Sequence, residues 1–193
     1  MNEKVQTLRV TLDFVTNEDS FLEFGQFAVA AQRSRREYEE LQDRTNADGI
    51  ITGFCSINSH LVGQDGSRAI AIIYDYSVLA GTQGYFHHLK LDRICDQANK
   101  FNLPVVIFTE GGGGRPGDID VKTQITGLHI PSFSSWAQLT GNCLKIAVNN
   151  GYCFAGNAVL FGCSDFKIAT KNSWIGMAGP AMIEGGGLGV FEP

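Results

Sequence analysis

An α/β fold is predicted, and three features of the chain predict it. Strand-like apolar runs alternate with segments of helical period. Two of the runs, AIAIIYDYSV at 69–78 and LPVVIFTE at 103–110, are apolar almost without interruption, as strands covered on both faces are. Between them Leu91, Ile94, Cys95, Ala98 and Phe101 recur at helical spacing, the β–α connection that parallel strands need.

The elements follow in order. Residues 1–32 have no clear period, and Phe14, Phe21, Phe24 and Phe27 are expected to anchor them by packing. RSRREYEELQDR at 33–44 places opposite charges at helical spacing and reads as a solvated helix, ended by Asn46, Asp48 and Gly49. IITGFCSINSHLVG is β-branched and broken at Asn58–Ser59, the pattern of a hairpin. The 69–78 strand comes next, then the breaker GTQG at 81–84, a helix over 85–101 and the 103–110 strand. After the loop GGGGRPGD, a helix is expected over 132–139 with Ser132 as its N-cap. CLKIAVNN reads as a strand, AGNAVLFG as a short helix, DFKIAT and SWIGMAG as strands, and PAMIE as a short helix begun by Pro180.

The 193 residues are enough for one domain with a core that needs no disulfide or metal. With 44% hydrophobic and 18% charged residues the chain is not of a disordered type. No apolar run reaches the ~18 residues of a membrane span. The opening MNEKVQTLRV carries charges where a signal peptide is apolar, so a cytoplasmic protein with no membrane partner is expected. A net charge of −5 argues against non-specific nucleic-acid binding and leaves an anionic small molecule open. Cys55, Cys95, Cys143, Cys153 and Cys163 form no CxxC pair and read as buried free thiols. His60, His87, His88 and His129 show no ligand spacing, so no metal site is expected. The chain stops after MIEGGGLGVFEP without a terminal helix or charged tail, which reads as a cut inside a longer chain.

Glycine is the unusual residue: there are 23, clustered at 111–117 and 176–189. Gly112, Gly114 and Gly117 formally satisfy GxGxxG, but Pro116, Asp118 and Asp120 do not suit a pyrophosphate on a helix start. Neither TEGGGGRPGD nor GYCFAGNA supplies the Gly-Lys-Ser/Thr of a phosphate-binding loop. Two readings remain. The glycine loop and the turn Ala155-Gly156-Asn157 are merely tight turns, or they lie side by side and aim backbone N–H groups at one point, as an oxyanion hole does. No GxSxG elbow or Ser/His/Asp trio is apparent. Glu110, Asp118, Asp120 and Glu184 flank the glycines, but nothing marks a catalytic pair. Chemistry dominated by backbone amides suits a thioester enolate, whose charge develops on one carbonyl oxygen.

FNLPVVIFTEGGGGRPGD, GYCFAGNAVLFGCSDFKIATKNSWIGMAGPAMIEGGGLGV and AIIYDYSVLAGTQGYFHHLKLDRICDQA resemble the carboxyltransferase domain of biotin-dependent acyl-CoA carboxylases, the acetyl-/propionyl-CoA carboxylase β type. The likeness covers residues 48–190. The family's first loop usually reads Ser-Gly-Gly-Ala-Arg, where this chain has Gly111 to Arg115. Its second turn usually reads Ala-Gly-Gly-Ala, where this chain has Ala155-Gly156-Asn157-Ala158. The resemblance implies a crotonase-like fold of repeated ββα units, present here as the N-terminal domain of two. It implies carboxyl transfer from carboxybiotin on a carrier domain to the α-carbon of an acyl-CoA, with no metal in this domain. It also implies partners: a second carboxyltransferase half, biotin carrier and biotin carboxylase regions, and an oligomer when full-length.

The residues this reading selects are Gly113, Gly114, Gly156 and Asn157 as oxyanion donors, with Gly112, Arg115 and Ala155 contacting substrate. Arg115 has two readings, a CoA-phosphate ligand or an ion pair with Asp118 or Asp120. Met177 and Met182 are expected in the core or in the wall of an acyl channel. A crotonase-type hydratase or isomerase using Glu110 or Glu184, a related acyl-CoA decarboxylase, and a non-catalytic binding or assembly module are the alternatives.

Overall fold

The computed structural model describes residues 15–121 and 130–190. The opening MNEKVQTLRV, Phe14 and His129 lie outside them.

The apolar runs form one six-stranded sheet. Its strands are β1 (Leu22–Phe24), β2 (Ile50–Ser56), β3 (Arg68–Tyr74), β4 (Val105–Phe108), β5 (Lys145–Asn149) and β7 (Phe166–Ala169), adjacent in that order. β1, β2 and β3 are antiparallel, with Ile50 opposite Tyr74; β3, β4, β5 and β7 run parallel, with Ile70 beside Val105, Val105 beside Lys145 and Ile146 beside Phe166. Parallel strands need crossovers, and helix α3 (Tyr85–Phe101) supplies the one between β3 and β4, matching the span its period predicts. On one face of the sheet Ile70, Ile72, Tyr74, Val105, Ile107 and Ala147 pack with Leu91, Ile94 and Ala98 of α3. Trp136 of α4 (Ser132–Gln138) and Leu160 of α5 (Gly156–Gly162) close this core. The other face is covered more thinly, by Ile51, Ala71, Ile73 and partly buried Phe21 and Phe108.

Five local expectations are corrected. The hairpin pairs β2 with β3, and the break at Asn58–Ser59 opens a short helix, α2 (Ser59–Gly66), rather than a tight turn. Asn58 takes a left-handed conformation (φ 56°), and the first free N–H, on Ser59, donates to the Asn17 side chain. The charged helix, α1 (Tyr38–Arg44), starts five residues late, because residues 32–35 wrap the glycine loop instead. There Asp120 accepts the N–H groups of Arg33 and Ser34, and the Arg35 guanidinium donates to the Gly117 carbonyl. Ser132 does not cap α4: its hydroxyl lies 2.9 Å from His88 Nδ1 and ties α4 to α3. Of the lead-in phenylalanines, Phe24 packs edge-on to Phe54, whereas Phe27 is exposed. Cys163 is exposed; the other four thiols are buried.

A second, small sheet stands at the carboxyl ends of the parallel strands. It pairs β6 (Tyr152–Phe154) in parallel with β8 (Trp174–Gly176), followed by α6 (Pro180–Gly185). β6 was not expected; three residues between Gly151 and Ala155 give no readable period. Gly111 joins this sheet through a bridge to Cys153. Among the described residues no helix is long and apolar enough to cross a membrane.

Candidate active site

The loops that leave the carboxyl ends of β4 and β5 meet here, the usual place for a site in an open α/β sheet. The glycine loop and the 155–157 turn lie side by side. Gly111 N–H donates to Tyr152 O at 2.7 Å and Phe154 N–H returns to Gly111 O at 2.8 Å. Gly113, at φ 87°, passes so close that a Cβ there would sit 2.6 Å from the Ala155 Cβ.

The donors in this cluster are not equivalent. Gly112 N–H is bonded to Ala80 O and Ala155 N–H to Gly176 O, so neither is free for a ligand. Gly113 N–H is bonded to the Asn157 side chain at 3.0 Å. Gly114 N–H has no partner among the described residues, and a Cβ there would meet nothing within 4 Å. Its direction is set by its neighbour. Gly113 C=O accepts the Gln83 N–H at 2.7 Å, and across a trans peptide the next N–H points the opposite way, away from Gln83. Gly156 and Asn157 open α5, whose first-turn N–H groups have no intrahelical acceptor. Ala155 is held at φ 51°, a strained conformation for a residue with a Cβ, which sets the entry of the chain into α5.

Of the two readings of Arg115, the ion pair is the one present, with Asp118 as a partner. It is 6% exposed, and all five guanidinium N–H groups are occupied. It pairs with Asp48 and, at 3.5 Å, with Asp118; its remaining hydrogens go to the Thr82 hydroxyl, the Thr82 carbonyl and the Asp48 carbonyl. Asp120 is not its partner. Asp48 is fully buried on a left-handed corner with Ala47 and also accepts the His87 N–H. Burial pushes the Asp48 carboxyl pKa up, against the pull of Arg115. This pair locks the far end of the glycine loop to the start of β2.

Gln83 was missed by the sequence reading, in which GTQG served only as a breaker. Its backbone brackets Gly114, accepting from Arg115 N–H at 2.9 Å as well as donating to Gly113. Its buried side chain donates to the Tyr74 hydroxyl at 3.0 Å, and a Cβ on Gly156 would strike its Oε1. Gln83 therefore touches both turns. No local signal marks it, since its partners lie on three other segments.

The acids considered for a hydratase are aimed elsewhere. Glu110 accepts the Asn150 N–H at 2.7 Å, burial raises its pKa, and it turns toward the β5–β6 corner. Glu184 lies exposed on α6. Met177 and Met182 are exposed, not core, on the stretch that packs Gly179 against Phe154 beside the turn. Among the described residues no three His, Cys, Asp or Glu side chains cluster as metal ligands would. The larger cavity described, about 740 Å³, lies away from these loops, between α3 and β1–β2.

Comparison with known proteins agrees with this architecture. The carboxyl transferase domain family matches residues 2–186. The propionyl-CoA carboxylase beta chain of Saccharopolyspora erythraea is 25% identical over 180 residues, 93% of this chain and 31% of that protein. The methylmalonyl-CoA decarboxylase subunit alpha of Veillonella parvula is 27% identical over 180 residues, 92% of this chain and 33% of its own. A solved single-chain, multi-domain long-chain acyl-CoA carboxylase superposes with a TM-score of 0.89 at 46% identity, over 99% of this chain and 19% of that one. The chain thus spans about a third of the length of the curated relatives it matches. Its fold is the crotonase-like fold of these carboxyltransferases, and the chain belongs to the carboxyl transferase domain family.

Proposed function

We propose that this domain binds an acyl-CoA and holds its thioester carbonyl between the N–H of Gly114 and those of Gly156 and Asn157, so that the α-carbon is carboxylated. The observation that carries the reading is the Gly114 N–H, unpartnered among the described residues and turned away from Gln83 beside the opening turn of α5. Loss of the α-proton places negative charge on the thioester oxygen. Fixed amides aimed at that oxygen stabilise the charge without reorganising. Thr109, Gln83, Asn157 and the Arg115–Asp48 pair keep the two turns in place. The exposed Met177 and Met182 are assigned to the acyl-channel wall.

The open space before Gly114, which a methyl group would narrow, fits a flat ring brought against the bound thioester. Biotin, delivered by a carrier region, would supply the carboxyl group and take up the α-proton. Of this chain's residues, the exposed backbone at Gly112 and Gly114 would lie against it. On this reading the domain is the first of two crotonase-like halves, a cytoplasmic module working with the second half, the biotin carrier and biotin carboxylase regions in an oligomer of the full-length protein. An acyl-CoA decarboxylase is the second reading, favoured by the likeness to the methylmalonyl-CoA decarboxylase subunit.

The test is a product assay on the full-length protein. Acyl-CoA, bicarbonate and ATP should yield the α-carboxylated thioester, and avidin should abolish the product. Release of carbon dioxide from a malonyl-type thioester, without the forward reaction, would select the decarboxylase. Biotin-independent hydration of an enoyl-CoA would overturn both.

A further inference from the structure

The Asn157 side chain bonds two points of the glycine loop at once, where the family's usual second turn carries a glycine and has no side chain to do so. Its Oδ1 accepts the Gly113 N–H at 3.0 Å, and its Nδ2 donates to the Thr109 carbonyl at 3.3 Å. The amide is fully buried and has no other partner among the described residues. The two contacts assign its orientation, since an N–H needs the oxygen and a carbonyl needs the nitrogen. A Cβ on Gly111 would run into Nδ2, so the loop is built around this side chain.

Thr109 and Gly113 are the two ends of a loop whose interior contains two adjacent glycines, Gly111 and Gly112. Such backbone has the most conformational freedom to lose on ordering. Anchoring both ends to the first turn of α5 ties the loop to the same element that carries the second set of donors. The Gly113 peptide is then fixed on both sides, its N–H on Asn157 and its C=O on Gln83, so the next N–H has one direction left.

We infer that Asn157 is a positioning residue whose side-chain amide sets the aim of the Gly114 N–H relative to α5. The inference rests on the oxyanion-hole reading above. It separates the two roles of this position: the backbone N–H serves the thioester, and the side chain holds the opposite donor. It also removes Gly113 from the donors, because its N–H stays on Asn157 whether or not a thioester is bound. A donor misplaced by about 1 Å can cost on the order of 10²-fold in rate.

The experiment uses the full-length protein and two independent readouts. The first is steady-state carboxylation by Asn157→Ala, with carboxylated carrier saturating and acyl-CoA varied. Turnover should fall by roughly 10- to 100-fold, with the KM for acyl-CoA changed less than about threefold. Retained kcat with a raised KM or a lowered melting temperature alone would mark a structural residue and overturn the inference. The second readout needs no variant: hydrogen–deuterium exchange at single-residue resolution in the wild-type protein. The Gly113 amide should be protected without ligand and unchanged by acyl-CoA, while Gly114 gains protection on binding. A Gly113 amide that exchanges freely, or becomes protected only with acyl-CoA, overturns the inference even if Asn157→Ala does not fold. Absence of carboxylation in the wild-type protein would sink the functional reading instead, and the exchange at Gly113 would still decide the clamp.

Discussion

At the scale of residues, Gly114 and Gly156 are opposites, although both stand in glycine-rich turns. Gly156 is held against Gln83 Oε1, so Gly156→Val should destabilise the fold as well as disturb the site. At Gly114 a Cβ meets nothing within 4 Å among the described residues and the backbone is not left-handed, so Gly114→Val should keep the wild-type melting temperature. It should nevertheless lower carboxylation by about 10²–10³-fold, as loss of one oxyanion donor does. A folded Gly114→Val protein with normal turnover would return this glycine to the status of a turn residue. Arg115 makes the reverse case. Arg115→Met leaves the fully buried Asp48 carboxyl without its cation, which should cost about 3–5 kcal/mol in urea unfolding. The glycine spacing that suggested a backbone site was local and could be read. The Asp118 partner of Arg115, three residues on, could be read as well; the Asp48 partner could not, because it lies 67 residues away and carries no spacing signal.

At the scale of elements, α3 shows why some of the fold was legible and some was not. Its 17 residues give nearly five turns of apolar period, so its span was readable. The short pieces, β6 beside the site and α2 at the other end of the sheet, are settled by tertiary contacts, as when Asn17 receives the first N–H of α2. The histidines of α3 belong to this second kind. His87 and His88 are buried, His88 against the Ser132 hydroxyl and His87 against the Asp48 corner and the Tyr74 ring. Burial, with Arg115 adding to it and Asp118 opposing it, brings His88 down from 6.5 to about 4, and burial holds His87 well below its usual value. Between those values the unfolded chain takes up protons that the folded one refuses. The contribution is therefore fully present above pH 6.5 and is lost as pH falls toward 4. Melting curves should show this acid loss, and it should be shallower in His88→Asn, which keeps a hydrogen-bonding group for Ser132. An identical pH profile in the variant would mean that His88 is protonated in the fold.

At the scale of the whole molecule, the described structure exposes many large apolar side chains, and a run of them falls on consecutive elements from β7 to the end of α6. All four residues of β7 are exposed, though it carries Phe166 and Ile168, and it forms the edge of the large sheet next to β5. Trp174 and Ile175 of β8, Met177, Met182 of α6, Leu188 and Val190 add to the exposed apolar surface. An edge strand with exposed apolar side chains is a template for association. The opposite edge is different, since β1 is only three residues long. Expressed alone, the 193-residue chain should therefore self-associate in a concentration-dependent way through the β7–β8 side. Light scattering across a dilution series measures this, and the double variant Phe166→Lys, Ile168→Glu separates it from general instability. Both side chains are already exposed, so the change removes little folded-state packing and should leave the unfolding free energy within about 1 kcal/mol of wild type. The variant should scatter as a monomer at concentrations where the parent does not. Undiminished association would move the contact to another face, and a parent that stays monomeric would mean that the exposed β7 edge is not a contact surface at all.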